Sequence, residues 1–196
     1  MLNLFKRGFW TVISMIIYKP LFGKMGFKSV IIKPLKINNS KRIFVESNVV
    51  VNDLAWLMAI NKESVLSIAK GTRIGHFAHI VCLNKILIKD NVLIADKVFI
   101  SDNAHGFEDI ENPIKSQPLK FVGEVEIGEN SWIGENVCIL GCKIGRNSVI
   151  GANSVVTSDI ASYCVAVGAP ARVIKRYDFD ESIWKKTNEK GDFINE

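Results

Sequence analysis

The chain has 196 residues, is 48% apolar and carries a formal net charge of +5. That length holds one ordinary domain with a small appendage at most, and the apolar share excludes a disordered polypeptide. Cys82, Cys138, Cys142 and Cys164 form no CxxC pair and no zinc-type spacing, so they read as reduced thiols of a cytosolic protein.

Residues 1–42 read as an N-terminal capping segment. Between Lys6 and Arg42 lie nine Lys or Arg and no Asp or Glu, which points either to an anionic partner or to a solvated basic surface. Lys6 and Arg7 precede an apolar run, Phe9–Tyr18, that imitates the start of a secretory signal. The run ends in Tyr18-Lys19-Pro20 with no small-residue cleavage site and is too short to span a bilayer. A short amphipathic helix that packs on the body, or lies at the inner face of a membrane as a peripheral contact, fits it better.

The body, residues 43–176, is organised by a repeat. A faint stretch runs through Ile68, Ile74 and Ile80, and from Ile88 the chain reads in sixes. Ile88, Ile94 and Ile100 open three hexads; after an interruption Ile127, Ile133, Ile144 and Ile150 open four more. The opening place always takes a β-branched residue, suited to stacking in a narrow core of short strands. Gly128, Gly134, Gly145 and Gly151 hold the second place, where a larger side chain would crowd a corner. The fourth place takes Asn at Asn91, Asn103, Asn130, Asn136, Asn147 and Asn153. Asn is the non-glycine residue that best tolerates left-handed backbone, so a turn recurs there. No 3.6-residue stripe matches this pattern, and a helical body is excluded. A strand and a corner per hexad make a three-sided coil every eighteen residues, with coils at Ile88–His105, Ile127 to about Lys143, and Ile144–Ala161. One or two incomplete coils are expected over Ile43–Lys85.

The register breaks after His105, and an excursion loop covers about 106–122. A solenoid that ejects a loop at one corner usually does so for binding. The tail, residues 177–196, is expected to form a short C-terminal helix carrying Trp184 that caps the open end.

Three stretches together carry a family resemblance: Asp102-Asn-Ala-His105, Ile127-Gly-Glu-Asn-Ser-Trp132-Ile-Gly134, and Val165-Ala-Val-Gly168-Ala-Pro170-Ala-Arg172. Over roughly Ile68–Tyr177 the chain resembles the hexapeptide-repeat acyltransferases, in the branch of maltose, galactoside and polysaccharide O-acetyltransferases. The resemblance implies an all-β fold, a left-handed parallel β-helix, an exception to the right-handed crossover rule. It also implies a homotrimer with active sites in the clefts between prisms, and acetyl-CoA as co-substrate with no metal.

On this resemblance His105 is the general base, since an imidazole offers a proton acceptor near neutrality. Glu108 and Asp102 are candidates to orient its ring, as carboxylates do behind a catalytic histidine. The pantetheine arm of CoA is expected in a groove parallel to the coils, with Trp132 packed on the arm or the acceptor and Ala152 and Thr157 beside it. Gly168 shapes the exit loop, and Arg172 and Lys175 meet the CoA phosphates. Glu135, after Trp-Ile-Gly, departs from the small or polar residue many relatives carry. His76 and His79 read as surface or interface histidines, with a zinc site of the β-helical carbonic anhydrase kind as the sharper alternative.

The function this implies is acetyl transfer to a sugar hydroxyl of a surface polysaccharide, lipopolysaccharide or capsule precursor. An acyltransferase for a small free acceptor, a simple sugar or an antibiotic, uses the same chemistry in a different pocket. A non-catalytic β-helix scaffold is the remaining reading, against which the His105, Trp132 and Arg172 set weighs. Nucleic-acid binding ranks last, because the basic residues lack an interleaved aromatic platform.

Overall fold

The computed structural model describes residues 2–188 and 191–194, with side chains from Gly8 onward. Short parallel strands wind into a prism with three faces. The first face runs from Lys24–Met25 to Lys143–Ile144 and the third from Lys36–Asn38 to Val155–Val156, each with six strands. The second face starts at Val30–Ile31, climbs to Cys164–Val167, and ends in two antiparallel strands, Arg172–Asp178 and Ile183–Lys186.

The hexad code explains the prism. Ile88, Ile94, Ile100, Ile127, Ile133, Ile139, Ile144 and Ile150 all point into the lumen and are at most 1% exposed. Each such burial is worth roughly 1.5–3 kcal/mol. Asn91, Asn130, Asn136, Asn147 and Asn153 adopt left-handed backbone, with φ between +51° and +61°. At Gly128 and Gly145 a Cβ would meet the backbone nitrogen of the next coil at 2.4 and 2.3 Å, so only glycine lets the coils stack.

The parallel coils begin earlier than the expected boundary at residue 43. Lys24–Met25 pairs with Phe44–Val45, and Val30–Ile31 with Val50–Val51, so a complete coil lies inside the segment read as a cap. Its corners carry Lys28 and Lys33 at positive φ instead of Asn, and its register steps by twenty residues, which hides it from a search in sixes. Above the loop the step shortens to seventeen, as where Trp132 pairs with Val149.

Each end is closed differently. A helix, α1 (Leu2–Ile13), continues in π-helical geometry through Ser14–Tyr18 and packs on the first coil. Ser14 is fully buried, and its Oγ accepts the Ile31 N–H at 3.0 Å. The expected C-terminal helix is absent among the described residues. Trp184 lies in the strand Ile183–Lys186, because Arg172–Asp178 folds back on the last parallel strand and offers an open edge that a further strand can satisfy. Trp184 there meets Tyr177 at 5.5 Å, edge to face.

Candidate active site

The loop leaves the prism at the corner between third and first faces, and its two stems pair with each other. Asn103–His105 runs antiparallel to Leu119–Phe121, with His105 opposite Leu119. His105 is therefore fixed on a two-stranded ribbon with its side chain exposed, and it makes no hydrogen bond among the described residues. The loop beyond is braced by Gln117, whose Nε2 donates to the Asp109 carbonyl at 2.8 Å and the Asn112 carbonyl at 3.0 Å. Its apolar side chains stay outside: Phe107, Ile110 and Ile114 are all exposed, Ile110 by 91%.

Neither candidate carboxylate hydrogen-bonds His105 among the described residues. Asp102 is fully buried and spends its oxygens on the preceding coil, accepting N–H groups from Leu83 (2.7 Å), Asn84 (2.7 Å) and Lys85 (2.8 Å). Asn103 Nδ2 adds a fourth hydrogen bond at 2.9 Å. A carboxylate so occupied pins a backbone turn at the root of the loop and has little left for a ring. Its neighbour Cys82 is pushed up to about 12 by burial, and next by the Asp102 charge, so this thiol is no nucleophile. Glu108 is exposed and ion-pairs with Lys120 across the ribbon. That pairing, with help from the Phe107 N–H, pulls its carboxyl from the ordinary 4.5 down to about 2. The geometry thus assigns Asp102 and Glu108 to holding the loop, where sequence had offered them as orienters of His105.

The cofactor candidates sit on other parts of the prism. Trp132, half exposed, lies on the second face between Leu93 and Val149, and the same line continues through Val165 to Lys175 and Lys186. The result is an apolar rail along the prism axis that ends in cations. Residues three apart in a regular strand face opposite ways, yet Arg172 lies opposite Val167 and Lys175 opposite Val165. A bulge between Val165 and Ala166 resets the alternation and brings both cations to the outer side. Lys186 had no local signal; only the hairpin reveals it. Ala152 and Gly168 stack at the corner between second and third faces, next to the rail, and a groove of about 390 Å³ there is lined by Lys97, Glu135, Asn136, Ala152 and Asn153. Glu135 is paired with Lys97 at 2.9 Å. Thr157 lies elsewhere, at the corner between third and first faces, two coils above His105.

Within one chain, then, His105 and Thr157 occupy one edge of the prism and Trp132, Ala152, Gly168 and Arg172 gather at another. One third-face strand separates the edges, on the order of 10–15 Å.

The other histidines are accounted for locally. His76 bridges Asp53 (2.9 Å) and Asp96 (3.1 Å) from neighbouring coils. His79 stacks on Trp56 at 4.3 Å, and burial lowers its pKa. Among the described residues no cluster of His, Cys, Asp or Glu is arranged to hold a metal ion.

Comparison with known proteins agrees with this architecture. The family model "Bacterial transferase hexapeptide (six repeats)" matches residues 124–158. WbbJ of Escherichia coli (strain K12), named for lipopolysaccharide biosynthesis O-acetyl transfer, is 35% identical over 131 residues, which is 63% of this chain and 67% of that protein. Among solved structures, the hexapeptide-repeat acetyltransferase VCA0836 from Vibrio cholerae is similar with 25% identity and TM-score 0.62, over 86% of this chain and 81% of its own. AntD, an N-acyltransferase from Bacillus cereus solved with dTDP and 3-hydroxybutyryl-CoA, reaches TM-score 0.72 at 20% identity, over 86% and 90% of the two chains. At that identity the likeness to AntD bears on the fold alone.

Proposed function

Because the chain belongs to the hexapeptide-repeat acyltransferase family, we propose that it moves the acetyl group of acetyl-CoA to a sugar hydroxyl, with His105 as general base. The observation that carries the assignment is the placement of His105. Among the described residues its ring makes no hydrogen bond or ion pair, unlike His76 and the ring-stacked His79; it is held on a paired ribbon and is open to a substrate.

The sugar hydroxyl gives its proton to His105 as its oxygen bonds to the thioester carbonyl carbon. The tetrahedral intermediate collapses with cleavage of the C–S bond, and the imidazolium returns the proton to the departing thiolate. An acetylated sugar and free CoA result, and the base is restored. Such a base contributes about 10²–10⁴ in rate. The rail of Trp132, Val149 and Val165 suits a pantetheine chain, and Arg172 with Lys175 suits the phosphates at its end. A base at one edge and a cofactor rail at another meet when neighbouring copies pack edge to edge, so the working unit is a homotrimer with shared sites. The exposed apolar loop residues Phe107, Ile110 and Ile114 are then covered by the adjacent copy. The likeness to WbbJ favours a lipopolysaccharide or other surface-glycan precursor as acceptor. The acetyl-CoA donor and the four free cysteines favour a cytoplasmic setting.

The test is release of free thiol from acetyl-CoA against a panel of sugars, in wild type and His105→Ala. Acceptor-dependent release that falls a hundredfold or more in the variant supports the reading. Equal rates in the two proteins would remove His105 from the chemistry. Without turnover on any sugar, calorimetry with CoA decides: binding keeps an acyltransferase whose acceptor lies outside the panel, and no binding returns the scaffold reading.

A further inference from the structure

We infer that the N-terminal end of the prism is a docking surface for an anionic lipid bilayer. The helix that closes this end is two-faced. Ser14, and Phe22 just past the helical segment, are buried, while Phe9, Val12, Met15 and Ile16 are exposed. Phe9, Val12 and Ile16 follow one another at helical spacing, so they form one row. The first coil adds exposed apolar residues at its own corners, Phe27 and Leu35, which are 69% and 63% exposed. Two large side chains at prism corners and a row along the cap give this single end an apolar surface that water does not favour.

Charge selects the occupant. Lys19, Lys28 and Lys33 are exposed around these residues, and none enters an ion pair among the described residues. Farther up the prism lysines behave differently: Lys85, Lys89 and Lys97 each pair with a glutamate, and in the first coil only Lys24 does so among the described residues, with Glu46 of the next coil. No acid occurs between Lys6 and Arg42 to neutralise the end. Apolar rings and methyls ringed by uncompensated ammonium groups match the acyl boundary and phosphate layer of an anionic membrane surface. The helix lies on that surface, since no described helix is long and apolar enough to cross a membrane. A second protein copy would bring the same cations to face themselves, which like-charge repulsion disfavours. This inference is independent of the acceptor, though it would place the enzyme beside lipid-linked glycans.

The experiment is co-sedimentation of the full chain with vesicles of phosphatidylcholine alone and of phosphatidylcholine mixed with phosphatidylglycerol. Wild type is expected to bind the anionic vesicles and to be released by salt. Val12→Asp/Ile16→Asp should lower the bound fraction by about tenfold or more. Lys19→Glu/Lys28→Glu/Lys33→Glu should lower it comparably on the anionic vesicles alone. All these side chains are exposed, so the melting temperature serves as a check that the fold is kept. Absence of wild-type binding, equal binding to neutral vesicles, or unchanged binding by the variants overturns the inference. A larger assembly in solution that Val12→Asp/Ile16→Asp dissolves, with no vesicle binding, overturns it in favour of a second copy.

Discussion

Asp102 and His105 are three residues apart and belong to the same break in the repeat, yet they live under opposite physics. Asp102 is fully buried, and its carboxylate takes hydrogen bonds from three backbone N–H groups of the coil below and from Asn103 Nδ2. The His105 side chain is exposed and makes no hydrogen bond among the described residues. The lesson concerns how a solenoid ejects a loop without fraying: the charge nearest the break is given to the scaffold, and the reactive ring is carried outward on a ribbon. A polar residue beside a catalytic candidate therefore need not serve it.

Substitution separates the two. His105→Ala should lower turnover by about 10²–10⁴ and leave the melting temperature nearly unmoved, because truncating an exposed side chain usually costs little. Asp102→Ala should do the reverse at first sight. It takes the shared acceptor from three part-buried N–H groups, each worth about 1 kcal/mol, so a loss of roughly 2–3 kcal/mol in denaturant unfolding is expected. Activity should fall only as far as the loop loosens. If Asp102→Ala is as stable as wild type yet inactive, the carboxylate belongs to the chemistry and the division drawn here fails.

How much of this division was legible in sequence depends on range. Asn91, Asn130, Asn136, Asn147 and Asn153 announce their left-handed turns locally, and the structure has them there. Asn103 occupies the same place in its hexad, yet it lies in an extended stem and donates to the Val81 carbonyl. The code describes a corner that continues, and at Asn103 the chain departs. Three of the partners of Asp102 lie seventeen to nineteen residues earlier and are backbone atoms, which leave no mark on side-chain pattern. The first coil escaped because Lys28 and Lys33 turn corners that Asn turns elsewhere. Trp184 was read as helical because its segment has no hexad register; the edge that makes it a strand is supplied by Arg172–Asp178.

The contrast extends to the cations of the second face, where a smaller effect is expected. Arg172→Ala/Lys175→Ala should raise the KM for acetyl-CoA by about tenfold with kcat little changed, as for contacts equal in ground and transition states. A fall in kcat with unchanged KM would place these residues nearer the reacting carbonyl than the rail allows.

The smallest effect should come from Glu108, which shares with Asp102 the task of holding the loop but does so in water. Its carboxyl is lowered from 4.5 to about 2 by Lys120 first and the Phe107 N–H second. A lowered folded pKa means that the pairing supports the native loop at pH above the ordinary value and is lost as pH falls toward 2. At neutral pH the charge pair is complete, but solvent screens it, and an exposed pair contributes little. Glu108→Gln should accordingly leave turnover within about twofold and the melting temperature nearly unmoved. The pairing itself is read by a carboxyl-carbon NMR titration, in which Lys120→Ala should return the Glu108 midpoint toward the ordinary range. A wild-type midpoint already in that range would mean the ribbon is held by its backbone pairing alone. A large loss of turnover in Glu108→Gln would instead restore this carboxylate to the service of His105, and leave Asp102 as the only residue of the break given wholly to the scaffold.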